Sequence, residues 1–180
     1  MMQGFSLGKN HRGPLILGKG GFGRQLADWL AEDGWGQPEF LDDNAPGCAG
    51  TLRDYADPAL LRPGRTAFVA LGNNELRVTL LQKVAAAGYA TPVYISSDAS
   101  VSPSAVLEPG CVILPQAYVG AGAHLGAGCI VNAGAIVDHD AVLGRGVHIA
   151  PGGIVKAGAE VAAFAKVDSG KIIRSPWEHT

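Results

Sequence analysis

The sequence predicts a small Rossmann-like α/β domain followed by a left-handed parallel β-helix built from hexapeptide repeats. Three observations predict this. Branched aliphatic residues recur at every sixth position: Val101, Leu107, Ile113, Val119, Leu125, Val131, Val137, Leu143, Ile149, Val155, Val161 and Val167. Four residues after each of the first eleven comes a small side chain or valine: Ala105, Cys111, Ala117, Ala123, Cys129, Ala135, Ala141, Val147, Gly153, Ala159 and Ala165. Before residue 98 the pattern is instead one of apolar strands alternating with amphipathic helices. A fixed internal period must be read before anything else, and a six-residue period fits a coil with three flat faces. The aliphatic residue of each unit points inward and stacks on its equivalent one coil away, which builds a column of Val, Leu and Ile.

The elements follow in order. Residues 1–12 read as a disordered lead. Residues 14–18 are a short apolar run ending in glycine, hence a buried strand. Residues 24–32 carry Leu26, Ala27 and Leu30 at helical spacing, and Gly34 ends that helix. Residues 39–43 and 66–71 read as further strands. Residues 75–87 place Leu76, Thr79, Leu80 and Val84 on one helical face, closed by Gly88, and residues 91–95 form a last strand leading into the coils. Strand–helix alternation implies a parallel sheet with right-handed crossovers, here reduced to a nucleotide-binding-type domain over residues 13–97. The β-helix is assigned to 98–168 and a C-terminal tail to 169–180.

Composition narrows the function. A net charge of −2 and a pI near 6.2 give no reason to expect nucleic acid or an anionic membrane as partner. No apolar run approaches a membrane span, and the N-terminal residues lack the apolar segment of a secretory signal, so a soluble cytoplasmic protein is expected. Cys111 and Cys129 lie one coil apart at the small inward position and read as stacked, reduced core residues. No disulfide and no metal site is expected.

Two segments carry chemistry. The loop GKGGFG (residues 18–23) joins the first strand to the first helix. Its Gly18, Gly20, Gly21 and Gly23 allow backbone N–H groups and the helix N-terminus to face an anion such as a phosphate. Asp42 and Asp43, about 20 residues on, are placed to accept from a ribose or sugar hydroxyl. A tight turn needing glycine for packing alone is the other reading of that loop. An NAD site is disfavoured, because hydride transfer has little use for the repeats that follow. In the repeats, His139 stands outward between Asp138 and Asp140, where a histidine suits general-base work and an adjacent carboxylate can fix its tautomer. The alternative is an ordinary surface histidine. His148, half a coil later, should point in a different direction and meet His139 only across a junction between subunits. A corner or packing role for His148 is left open, as is a groove or amide-ladder role for Asn132.

The order of the two segments, with GKGGFG at 18–23, LDD at 41–43, ALGNNELR at 70–77, VDHD at 137–140 and VHIAPG at 147–152, resembles the PglD-like (NeuD-like) hexapeptide-repeat sugar acetyltransferases. The resemblance spans nearly the whole chain. It implies a homotrimer with active sites between subunits, acetyl-CoA as co-substrate, and N-acetylation of a nucleotide-linked (UDP) amino sugar for surface glycan synthesis. It implies His139 as general base, Asp140 as its acidic partner, and His148 and Gly152 at the acetyl-CoA end of the groove. The loop glycines, Asp42, Asp43, Asn73 and Asn74 then hold the acceptor. O-acetylation of a sialic-acid-type sugar and a non-catalytic sugar-nucleotide-binding trimer stay as alternatives. Two departures from the family pattern matter: Phe22 stands where the family often has histidine, and the C-terminus is short, with residues 171–177 reading as a compressed tail and Trp177 as a cap or an adenine platform.

Overall fold

The computed structural model describes residues 13–60 and 64–177, so the expected lead at 1–12 lies outside the described residues. Strand β1 (Leu15–Leu17) is wholly buried and sits between β2 (Glu39–Leu41) and β3 (Ala67–Val69) in a parallel sheet of order β2-β1-β3. Helix α1 (Gly21–Glu32) follows β1, and α2 (Asn74–Ala86) follows β3. Helix α1 starts three residues before its expected start at residue 24, because the second half of the glycine loop is already its first turn. Asn73 caps α2 by accepting from the Leu76 N–H at 3.0 Å.

The rest of the chain is a parallel β-helix of about four turns, consistent with the left-handed form. Each strand is two residues long, and the strands stack on three faces. The first face holds β4 (Tyr94–Ile95), β7 (Val112–Ile113), β10 (Ile130–Val131), β13 (His148–Ile149) and β16 (Lys166–Val167). The second holds β5 (Ser100–Val101), β8 (Tyr118–Val119), β11 (Ile136–Val137), β14 (Ile154–Val155) and β17 (Ile172–Ile173). The third holds β6 (Val106–Leu107), β9 (His124–Leu125), β12 (Val142–Leu143) and β15 (Glu160–Val161). Both inward series form one core, with Cys111 and Cys129 buried and unbridged in it. At each corner one residue takes a positive φ, at every sixth position from Gly110 to Gly170. That residue is glycine except at Gln116, Asp140 and Phe164.

The stack is longer than the expected 98–168. The expected last strand of the α/β domain is β4, the first rung of the first face, and residues 172–173 form a further rung, β17, rather than a tail. Ile95 and Ile173 extend the six-residue series by one step at each end. Not every outward position carries a small side chain. On the second face these positions read Tyr118, Ile136, Ile154 and Ile172, of which three are exposed large apolar groups.

The α/β domain covers the first face. Ile16, Leu26, Leu30 and Phe68 share a buried cluster with the outward-facing Tyr94, Val112 and Ile130. Helix α2 is fastened to the coil corners by Arg77, which is 2% exposed. Its guanidinium donates to the carbonyls of Gly128 (2.9 Å), Gly146 (2.7 Å) and Leu71 (2.9 Å) and to Asn74 Oδ1 (2.7 Å). Burial lowers its pKa to about 10, which leaves it charged at neutral pH. Among the described residues no helix is long and apolar enough to cross a membrane.

Candidate active site

His139 sits at the corner between the second and third faces, where the chain turns from β11 into β12. Its Nδ1 lies 2.9 Å from Asp140 Oδ2, and its backbone N–H donates to Asp138 Oδ1 at 2.7 Å. The imidazole is half exposed and holds its proton more tightly than usual, chiefly because of the Asp140 hydrogen bond, with the charges of Asp138 and Asp140 adding to it. Asp140 occupies the positive-φ corner slot at +58°, a conformation that Asp tolerates better than most residues. Glycines one coil earlier make room for the pair. A Cβ on Gly120 would fall 2.5 Å from the His139 backbone nitrogen, and one on Gly122 would fall 2.5 Å from Asp140 Oδ1. In the next coil Gly158 donates its N–H to the His139 carbonyl at 3.0 Å. Beyond it the indole of Trp177 stacks on the His139 ring, with centroids 6.2 Å apart and planes 27° from parallel.

His148 lies elsewhere on the prism. It faces outward from β13 on the first face, beneath the α/β domain, with the Phe22 ring 6.4 Å away and Asn132 Nδ2 3.4 Å from its Nε2. Burial, then the charges of Arg77 and Lys166, push its pKa down to about 4, so the ring is neutral at pH 7. One subunit therefore brings His148 to the glycine loop, not to His139. Gly152 occupies the corner between the first and second faces. The corners of Gly152 and His139 both border the exposed apolar second face.

The glycine loop divides in two. Gly18 has φ +105°, and a Cβ on Gly23 would fall 1.9 Å from the Gly18 carbonyl oxygen, so the fold itself requires both. Gly20 and Gly21 have nothing within 4 Å of a built Cβ. No side chain caps α1, and its first turn holds no acidic residue, so its leading N–H groups are open to an anion. Asp42 locks this loop. Its carboxylate accepts from the Lys19 N–H (2.7 Å) and from the N–H groups of Asn44 (2.9 Å) and Ala45 (2.8 Å), which lower its pKa. Asp43 accepts from the Leu52 N–H at 2.9 Å. Asn74 binds Arg77 and donates to the Phe164 carbonyl at 2.8 Å. Asn73 is the exposed cap of α2. The two aspartates and two asparagines picked out by sequence thus all have bonds inside the protein.

Sequence reasoning passed over Gly120, Gly122 and Gly158. Steps of 18 residues, one coil, from Asp138 and Asp140 lead to all three. Sequence reads Trp177 as a cap or an adenine platform, and nothing periodic links it to His139.

The PglD N-terminal domain family matches residues 15–84. The acetyltransferase domain of PglB from Neisseria gonorrhoeae is 31% identical, with 92% of each chain covered and a TM-score of 0.80. The same domain has been solved in complex with acetyl coenzyme A, at 32% identity to this chain. PerB from Caulobacter crescentus, solved in complex with CoA and GDP-perosamine, is 25% identical over 91% of this chain and 89% of its own, with a TM-score of 0.79. No curated protein sequence matches significantly.

Proposed function

This chain belongs to the PglD-like hexapeptide-repeat sugar acetyltransferases, and from that premise we propose that it transfers the acetyl group of acetyl-CoA to the amine of a nucleotide-linked amino sugar. The observation that carries the reading is the His139–Asp140 pair at an exposed corner beside an unpartnered apolar face. The amine attacks the thioester carbonyl as the free base. His139 takes the proton lost from nitrogen as the C–N bond forms, and returns it to the CoA sulfur as the C–S bond breaks. Asp140 keeps the imidazole proton on Nδ1, which leaves Nε2 as the base, and it stabilises the imidazolium. No covalent enzyme intermediate is required.

The acceptor's diphosphate is assigned to the open N-terminus of α1, against the bare backbone of Gly20 and Gly21. Asp42 acts by fixing that loop, while Asp43 keeps capacity to accept from a ribose hydroxyl. Neutral His148, next to Phe22, is placed between the loop and the coil surface, where it can donate to the bound substrates. Three copies packed through the apolar second face would bring the His139 corner of one chain near the Gly152 corner of another, which supports a homotrimer with sites between subunits. Its substrates are cytoplasmic metabolites, and a role in surface glycan synthesis follows from such an acceptor.

The test is CoA thiol release from acetyl-CoA with UDP-linked 4-amino sugars, then with GDP-perosamine, the sugar bound by PerB. No release with any acceptor would sink the proposal. Three variants probe the parts. Asp140→Asn should lower kcat by about 10–10²-fold. Because the carboxylate raises the His139 pKa above its usual 6.5, the acid limb of the pH–rate profile should also move to lower pH when it is removed. An unmoved limb would mean that Asp140 does not tune the base. Gly21→Ala should leave the urea midpoint unchanged and raise the acceptor KM, whereas Gly23→Ala should cost about 1–3 kcal/mol of stability through its clash with Gly18. Equal effects on stability would place both glycines in the packing of the turn.

A further inference from the structure

The last rung of the second face is β17. Residues 176 and 177 form a turn after that strand, and the Trp177 indole lies against Gly158 and the His139 ring. A Cβ at Gly158 would fall 2.6 Å from Trp177 Cη2 and Cζ2, so the indole sits where only glycine leaves room. Pro176 fixes the backbone just before it, and the Trp177 N–H donates to Ser175 Oγ at 3.2 Å. The indole nonetheless stays 59% exposed. An aromatic ring of this size left largely in solvent, on a bed cleared by a glycine, is not explained by burial of a core edge.

We propose that Trp177 is a positioning residue for the catalytic base: its indole lies alongside the His139 imidazole while Asp140 holds Nδ1, which limits the ring's rotation and keeps Nε2 presented to the amine. The proposal rests on the reading of His139 as the base. Two different groups then act on one histidine, a carboxylate bonded to Nδ1 and an indole whose plane is 27° from that of the imidazole. Asp140, bonded to Nδ1, and Asp138 are the charged groups that raise the pKa of the ring. A coil end capped only for solubility would need an apolar or bulky group over the inward column. Trp177 instead lies at an outward corner, on the residue that the reaction uses.

The first measurement is Trp177 fluorescence against pH in the whole protein, with the Trp29 and Trp35 background removed by subtracting Trp177→Phe. A stacked imidazolium quenches indole emission, so the wild type should show a quenching step as pH falls through the His139 pKa, and His139→Ala should lose it. The second is steady-state kinetics. Trp177→Ala should lower kcat by about tenfold, the cost of a loosened base, with the acceptor KM nearly unchanged and Trp177→Phe restoring most of the rate. Loss of the ring face that favours a cation should also move the acid limb down by about half a pH unit. The proposal is overturned by absence of a His139-dependent quenching step, by an unchanged kcat in Trp177→Ala, or by a rise confined to the acetyl-CoA KM, which would make the indole a wall of the donor site. If the wild type acetylates nothing, the functional reading fails and the positioning role falls with it. The quenching step would still report the stack, which keeps the two failures distinct.

Discussion

Replacing His139 with alanine should lower kcat for acetyl transfer by about 10²–10⁴-fold, the usual contribution of a positioned general base. KM for acetyl-CoA and for the sugar should change little, because the imidazole acts on a proton that moves only during attack. A residual rate above the uncatalysed reaction should survive, since bringing two substrates together in one groove is itself a large effect. The fold should not suffer. His139 is half exposed, so its truncation should shift stability by no more than about 0.5 kcal/mol. Thiol release and a thermal melt on the same preparation check both halves. A variant that retains full turnover would remove His139 from the chemistry and leave the second face without a base.

The largest effect on stability should come from Arg77, at the junction of α2 with the coil corners. Arg77→Ala removes a charged group that satisfies the carbonyls of Gly128, Gly146 and Leu71 and the Asn74 amide oxygen, all at the junction of α2 with the coil corners. Its loss opens a cavity and leaves buried acceptors without donors. Together these should cost about 3–5 kcal/mol. Lysine should not rescue it, because a single ammonium cannot reach the acceptors that the planar guanidinium fork spans. The break should be local. The coil stack keeps its own core, so urea unfolding should separate into an early transition of the α/β domain and a later one of the β-helix. A single cooperative transition at the wild-type midpoint would show that the apolar cluster of Ile16, Leu26, Phe68, Tyr94 and Val112 is enough to hold the two parts together.

What the sequence revealed depended on whether the information was periodic. The inward column was legible because a β-helix repeats its geometry every six residues, and each repeat leaves the same branched side chain behind. The rungs at Ile95 and Ile173 were less legible, since an end coil is stacked on one side only and its neighbours depart from the pattern. The apolar ladder Tyr118, Ile136, Ile154 and Ile172 carries the same 18-residue period. It escapes notice when attention stays on the inward positions. His139 and Asp140 were readable because adjacent residues must be near one another. The destinations of Asp42, Asn74 and Trp177 were not, because each finds its partner across a distance in sequence that only the fold closes: Lys19 from the first loop, Phe164 from a late corner, His139 from two coils back. Position after a strand suggests a ligand contact for Asp42 and the family resemblance suggests one for Asn74, and in the fold both also make bonds within the protein.

The three-faced coil also restricts how this chain can change length. A gain or loss of eighteen residues adds or removes one complete layer, about 4.8 Å thick, and leaves every later side chain on its original face. A change of six or twelve preserves the inward column equally well, yet turns the remainder of the prism by one or two faces. Six residues inserted before His139 would carry it from the open edge to the corner beneath α2, in a molecule still well packed and still folded. Viable length variants within the stack should therefore come in whole layers. An intact hydrophobic period is no guarantee of activity, because the phase of the His139 corner is set by counting alone.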